Sequence, residues 1–279
     1  MVKKYPKNSK KFVSLRLNNT SHKSLNKSIQ KQNTSGKSYL IAKSLNQNFI
    51  FRYYVLYKLI TIINQLQKNV KINNKFVFHV TYLYDYFMKK TKKVWSKMQC
   101  LSILYHCMTI VNKYQKYQIF SSYFFGPIFD PNIEFEILET VDFEIDLENN
   151  IYDVFNKFCY NIEEKYKDDK KKLDYLKSIR GSYIFFAFFM MFHTKWVERD
   201  FMTSFISCLY LSYEKNQNIN ISDGLFLFDE IQLLISKYNY KIEDNAIAYN
   251  LISESKNIYK QLNVACYNYD KESNSIKSI

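Results

Sequence analysis

Apolar residues recur every three or four positions through most of this chain, from about residue 48 to residue 262. A helix of 3.6 residues per turn gathers residues at that spacing on one side, where they pack against a neighbouring helix. Only 4 Gly and 3 Pro occur in 279 residues, which is too few for the turns of a many-stranded sheet. The pattern therefore predicts an all-α protein, and 47% hydrophobic residues suffice to bury its core.

The first half of the chain is predicted to contain five helices, separated by short polar loops. Their expected positions are residues 51–63, 76–87, 98–114, a short helix within 118–125, and a last one that Pro131 opens. The stretch 98–114 is apolar on nearly every side, as expected for a helix that other helices surround. We therefore expect it to be the buried centre of the first half.

The second half is predicted to repeat this plan with five further helices. Their expected positions are residues 151–166, 173–192, 200–214, 222–238 and 243–262. We therefore expect two tandem five-helix folds, over residues 46–147 and 148–265. Residues 266–279 are predicted to be a disordered C-terminus.

The positive charge is concentrated at the N-terminus. Asp85 is the first acidic residue, so residues 1–84 carry 16 Lys and Arg, whereas residues 85–279 carry 24 Lys and Arg against 26 acidic residues. Residues 1–45 are rich in Lys, Ser and Asn and are predicted to be a disordered basic tail. Such a tail is either a solvated segment without a role, a weak nucleic-acid contact, or a nuclear import signal.

Several kinds of chemistry find no support in the sequence. The five Cys are far apart without metal-ligand spacing, and the four Gly form no phosphate-binding loop. The longest apolar run, residues 183–192, is half of the roughly 20 residues that a membrane span needs. His79, His106 and His193 sit on apolar helices and are interpreted as core histidines. We therefore predict no enzyme, no metal site, no cofactor and no membrane contact.

Three motifs occur in a fixed order. Phe51-Arg52-Tyr53-Tyr54-Val55 opens the first predicted helix, and Tyr82-Leu83-Tyr84-Asp85-Tyr86-Phe87-Met88 lies in the second. Lys113 ends the third, and 21 residues later Glu134 begins the pattern Glu-x-x-x-Leu-x-x-Val-x-Phe. Together they resemble the cyclin box. The stretch from Ser182 to Ser204 resembles the second cyclin fold, so the resemblance extends over roughly residues 45–265.

The resemblance implies a role for each motif. In cyclins, a lysine and a glutamate at the positions of Lys113 and Glu134 contact a cyclin-dependent-type serine/threonine kinase. The partner implied for this chain is therefore such a kinase, which it would bind and activate. Residues at the positions of Arg52 and Asp85 form a buried ion pair between the first two helices.

The resemblance also implies a docking patch on the first helix, formed by Phe51, Tyr54, Val55 and Lys58. Cell-cycle cyclins have a tryptophan where this chain has Lys58, and they use it to bind Arg-x-Leu substrates. The lysine argues against that recruitment. No arginine of the chain has a leucine three residues later and no Lys-Glu-Asn triplet occurs, so the destruction signals of cell-cycle cyclins are missing. Their absence favours a transcription-associated or divergent cyclin. The nucleus is the expected location, with the cytoplasm as the second.

Other interpretations remain open from the sequence. Lys113 and Glu134 are each favoured by the dipole of their own helix, by about 0.3 to 1 kcal/mol, without any partner. The same paired five-helix fold binds DNA in transcription-factor-IIB-like proteins, although residues 85–279 lack the basic excess which that role needs. A helical scaffold that binds no kinase is the third alternative.

Overall fold

The described part of the chain is all helical. The computed structural model describes residues 51–67, 72–116, 130–148, 150–217 and 221–276, and within these ranges there is no β-strand. The α-helices are α1 (Arg52–Leu66), α2 (Asn74–Lys90), α3 (Lys97–Tyr114), α4 (Pro131–Thr140), α5 (Ile151–Lys165), α6 (Lys170–Phe192), α7 (Phe201–Asn216), α8 (Ile221–Lys237) and α9 (Glu243–Ile276). A 3-10 helix, Thr194–Glu198, lies between α6 and α7. The prediction of an all-α fold is confirmed for these residues.

Nine of the ten predicted helices have a counterpart in the structure. The helix predicted within residues 118–125 and the basic tail predicted for residues 1–45 lie outside the described residues. The last helix differs most, because α9 continues to Ile276 through most of the stretch predicted to be disordered. No Gly or Pro follows Leu262, and extending an existing helix adds one hydrogen bond for each residue fixed.

Helix α3 is the buried centre of the first half, as its sequence predicts. Twelve of its 18 residues are buried, and it contacts α1, α2 and α4. Its start is set by a capping box, in which the Ser96 side chain accepts from the Gln99 backbone and the Gln99 side chain accepts from the Ser96 backbone. The cap fixes the beginning of α3, and its last turn then carries Lys113 to the surface.

The structure contains two hydrophobic cores. One is formed mainly by residues of α1 to α4, and the other mainly by residues of α5 to α9. Each also takes a residue from the opposite half, since Phe192 of α6 belongs to the first core and Phe78 of α2 to the second. Phe78 stacks on Tyr152 of α5, with ring centroids 5.1 Å apart. The two halves are therefore packed together through aromatic side chains.

A buried polar cluster also joins α2 to α5. The Nε2 atom of His79 lies 2.6 Å from the Asp153 carboxylate, which accepts a second hydrogen bond from Asn150 Nδ2 at 2.7 Å. Burial by itself raises the pKa of Asp153, but the hydrogen bonds from His79 and Asn150 and the nearby charge of Lys75 outweigh it. The net result is a lowered pKa, so this carboxylate stays ionised and paired.

His193 lies between α6 and the 3-10 helix, and its hydrogen bonds define its protonation state. Its Nδ1 atom accepts from the Lys195 amide at 3.1 Å, so the proton of the neutral ring is on Nε2, which donates to Glu254 at 3.0 Å. Burial lowers the pKa of His193, the charges of Lys195 and Arg52 lower it further, and Glu254 only partly opposes this. A second proton on His193 would remove the acceptor for the Lys195 amide.

We expect acid to destabilise the protein partly through His193. Its pKa is lower in the folded state, so the unfolded chain takes up the proton first. The contribution of His193 to the free energy of unfolding is therefore fully present above the ordinary histidine pKa of about 6.5, and it is lost as the pH falls below that value. Urea unfolding at pH 7.5 and pH 5.5 measures this loss. His193→Asn keeps an acceptor for the Lys195 amide but does not titrate, so its loss should be smaller. Equal losses in both proteins would contradict the assignment.

Candidate functional site

Lys113 and Glu134 form an ion pair at the junction of two helices. Lys113 lies in the last turn of α3 and Glu134 in the first turn of α4, and their Nζ and Oε1 atoms are 2.7 Å apart. Helix α4 starts where the sequence places it, because Asp130 caps it by accepting from the Asn132 amide and Pro131 occupies the first position. The structure therefore brings together two residues that are 21 positions apart in the chain.

The pair reaches the surface, and among the described residues it leaves hydrogen-bonding capacity unused. The Lys113 side chain is 62% exposed and that of Glu134 is 18% exposed. An ammonium group has three donors, and the pair occupies one of them; a carboxylate has two acceptor oxygens, and the pair occupies one. An exposed ion pair adds only about 0 to 1 kcal/mol to stability. Folding therefore does not require this pair, and its side chains remain available for a partner.

His106 lies beside this pair; the sequence predicted a core histidine here, and the structure buries it, but its place next to the pair was not predicted. Its Nε2 atom is 3.4 Å from the Asp130 amide nitrogen, which donates to it. Burial lowers the pKa of His106, and the charge of Lys113 lowers it further. The charges of Glu134 and Asp130 raise it, but the net shift is downward. The imidazole is therefore neutral near pH 7. The sequence does contain a signal for this position, because His106 lies seven residues before Lys113, two turns away on the same side of α3.

Exposed aromatic residues adjoin the same junction. Tyr114, Phe135 and Phe143 are all exposed, and the rings of Phe135 and Phe143 meet edge to face with centroids 6.0 Å apart. Phe143 and its neighbour Asp142 both have left-handed backbone conformations, with φ of 57° and 59°. Such a conformation costs a non-glycine residue roughly 1 to 2 kcal/mol. The chain therefore turns sharply after α4 and leaves Phe143 beside Phe135 at the surface.

Arg52 and Asp85 form the buried ion pair that the resemblance implies. The Arg52 Nε and Nη2 atoms each lie 2.7 Å from an oxygen of Asp85, and the Arg52 side chain has no exposed surface. Two parallel hydrogen bonds of this kind define both the distance and the orientation of the pair. The interaction holds α1 against α2.

Arg52 also reaches the second half of the chain, which the sequence did not indicate. Its guanidinium donates to the carbonyl oxygens of Met191, Phe192 and His193 at 2.7, 3.0 and 3.2 Å. These carbonyls lie at the C-terminal end of α6, where a helix leaves its last carbonyls without intrahelical partners and favours a cation. One side chain therefore connects α1, α2 and α6.

The docking patch predicted on α1 needs one correction. Val55 is completely buried, because with Leu59 and Ile63 it forms the stripe of α1 that faces the core. Phe51, Tyr54 and Lys58 remain half-buried at the surface. The ammonium groups of Lys97 and Lys58 lie 3.8 and 5.6 Å from the Tyr54 ring centroid. The surface at this position is therefore a tyrosine flanked by two lysines rather than an apolar patch.

No protein-family model matches the chain, and no curated protein has a sequence that matches it. Within the described ranges, no His, Cys, Asp and Glu side chains are grouped so that they would hold a metal ion. None of the described helices has the length and hydropathy to cross a membrane. The functional proposal therefore depends on the geometry given above and on the sequence motifs.

Proposed function

We propose that this chain is a cyclin-like regulatory subunit that binds and activates a cyclin-dependent-type serine/threonine kinase. The observation that carries the proposal is the pairing of Lys113 with Glu134 at 2.7 Å on an accessible junction of two helices. A separation of these side chains, or complete burial of both, would have left no basis for it. The Arg52–Asp85 pair adds support, because the resemblance implies it independently.

The chemistry of the pair suits a partner's backbone. The Lys113 ammonium donates to carbonyl oxygens at the end of a partner helix, and the Glu134 carboxylate accepts from backbone amides. Contacts of this kind do not depend on the partner's side chains. The exposed rings of Tyr114 and Phe135 supply the apolar area that an interface core needs around its polar contacts.

Activation follows from position rather than from chemistry contributed by this chain. In protein kinases, a glutamate on a mobile helix must pair with the catalytic lysine before phosphoryl transfer proceeds. A regulatory subunit that holds this helix inward stabilises the active arrangement. The C-terminal end of α3 and the N-terminal end of α4 would contact that helix. Because α3 is buried, it would hold both ends in a fixed position.

Affinity purification of the tagged full-length protein from its native cells tests the proposal. We expect a cyclin-dependent-type kinase among the co-purified proteins identified by mass spectrometry. We also expect that adding this protein to the isolated kinase raises phosphorylation of a peptide substrate. Recovery of non-kinase partners alone would contradict the proposal and favour a scaffold. Tight, salt-sensitive binding of DNA by residues 46–279 would favour the transcription-factor-IIB-like alternative.

A further inference from the structure

A cavity of about 290 Å³ lies where the two halves of the protein meet, away from the α3–α4 junction. One side is formed by α2, and the others by the start of α5, the end of α6, the 3-10 helix and the start of α7. The lining residues include the aromatic side chains Phe78, Tyr82, Tyr86, Trp196 and Phe201. Its volume is near the lower limit of small-molecule pockets, which span roughly 300 to 1,000 Å³.

Two cationic residues and an unpaired hydroxyl line this largely apolar cavity. Lys89 lies on α2 and is exposed, and Arg199 lies just before α7. Arg199 pairs only loosely with Asp244, at 3.5 Å, and its buried Nε atom has no hydrogen-bond partner among the described residues. The buried hydroxyl of Thr81 likewise has no partner there. Buried polar atoms of this kind are uncommon in folded proteins and call for an explanation.

The charge around the cavity favours an anion. Asp85 also lines it, but both oxygens of that carboxylate already accept from Arg52 at 2.7 Å. Helices α5 and α7 begin at the lining residues Ile151 and Phe201, but the carboxylates of Asp153 and Asp200 offset the partial positive charge of these helix starts. The donors left for an anion beside the aromatic walls are the Lys89 ammonium and the Arg199 Nε atom, which has no hydrogen-bond partner among the described residues.

We propose that this cavity binds a small organic acid, with an aromatic or alicyclic body and one carboxylate. The body would pack between the aromatic side chains, and the carboxylate would be held by Arg199 and Lys89. Such a site is independent of kinase binding, because it uses none of the residues of the α3–α4 junction.

Isothermal titration of the full-length protein with two matched probes tests the proposal. The probes are 1-naphthoate and its neutral counterpart 1-naphthalenemethanol. We expect one site per chain, with 1-naphthoate bound about tenfold or more tightly than the alcohol, because only the acid makes charge-assisted hydrogen bonds. Equal affinity for the two probes, or no binding of either, would overturn the proposal.

Charge substitutions locate the bound acid. Because Lys89 is exposed, the Lys89→Glu variant should fold normally. We expect it to bind 1-naphthoate about tenfold or more weakly. Its control is Lys92→Glu, which changes another exposed lysine that does not line the cavity.

Arg199→Gln should weaken binding similarly. Its control is Arg180→Gln, since Arg180 also has a buried unpartnered Nε and a carboxylate partner but lies outside the cavity. Equal losses in the test and control variants would show non-specific attraction and overturn the assignment.

Discussion

Replacing Asp85 with alanine is expected to lower the free energy of unfolding by about 3 to 5 kcal/mol. The reason is that Arg52 would keep its charge at a position with no exposed side-chain surface. Its three bonds to the carbonyls of α6 would remain, but neutral oxygens compensate a buried cation less well than a carboxylate does. The loss is a large fraction of the 5 to 15 kcal/mol typical of folded domains.

Urea unfolding of Asp85→Ala and of a matched control measures this loss. The control is Glu148→Ala, which removes a carboxylate from an exposed ion pair with Lys157 at 3.1 Å. We expect the control to remain within about 1 kcal/mol of the wild type. A loss in Asp85→Ala no larger than in Glu148→Ala would show that the Arg52–Asp85 pair does not hold α1 to α2.

The same substitution should loosen the contact between the two halves. Arg52 contacts both α2 and the end of α6, so a displaced guanidinium would affect both helices. Hydrogen exchange should therefore become faster at the C-terminal end of α6 as well as in α1 and α2. Faster exchange confined to α1 and α2 would mean that the carbonyl contacts of Arg52 are maintained without Asp85.

The helices were predictable from the sequence because their periodicity and their caps are local signals. Pro131 was predicted to open α4 and does so, whereas the capping box of Ser96 and Gln99 at the start of α3 is seen in the structure. The end of α9 was not predictable in this way, because no residue after Leu262 stops a helix. Residues 266–279 were predicted to be disordered, whereas the structure continues the helix to Ile276.

The candidate site was only partly predictable. The motif spacing identified Lys113 and Glu134, but the exposed pair Phe135 and Phe143 depends on left-handed residues after α4 that no simple pattern indicates. The bonds from Arg52 to the end of α6 span about 140 residues of sequence, so local patterns carry no information about them. Such contacts become visible only once the helices are packed.

Val55 shows where a resemblance and a physical pattern disagree. The resemblance assigns it to a surface patch, whereas its spacing to Leu59 and Ile63 assigns it to the core. The structure buries it completely. Periodicity was the better guide at this position, because burial is decided by the side of the helix on which a residue lies.

The combined substitution Lys113→Ala and Glu134→Ala is expected to weaken kinase binding by about 100-fold or more. Removing one partner of a hydrogen-bonded charge contact at an interface costs about 2 to 5 kcal/mol, and every 1.4 kcal/mol is a factor of about ten in affinity. Removing both side chains eliminates the donor and the acceptor together. The protein itself should remain folded, because Lys113 is mostly exposed and a single ion pair that reaches the surface adds little to stability.

A matched double substitution separates a lost contact from a general change of surface charge. Lys157→Ala with Glu148→Ala also removes one lysine and one glutamate from an exposed ion pair, away from the α3–α4 junction. We expect this control to bind the kinase as the wild type does. Both double variants should unfold at nearly the same urea concentration as the wild type, which confirms that binding is compared between folded proteins.

The most direct test compares how much kinase is recovered with the wild type, with the Lys113→Ala and Glu134→Ala variant, and with the Lys157→Ala and Glu148→Ala control. We predict that a cyclin-dependent-type kinase is recovered equally by the wild type and the control, and is absent from the variant. Equal recovery by all three proteins would contradict the claim that the α3–α4 junction holds the kinase.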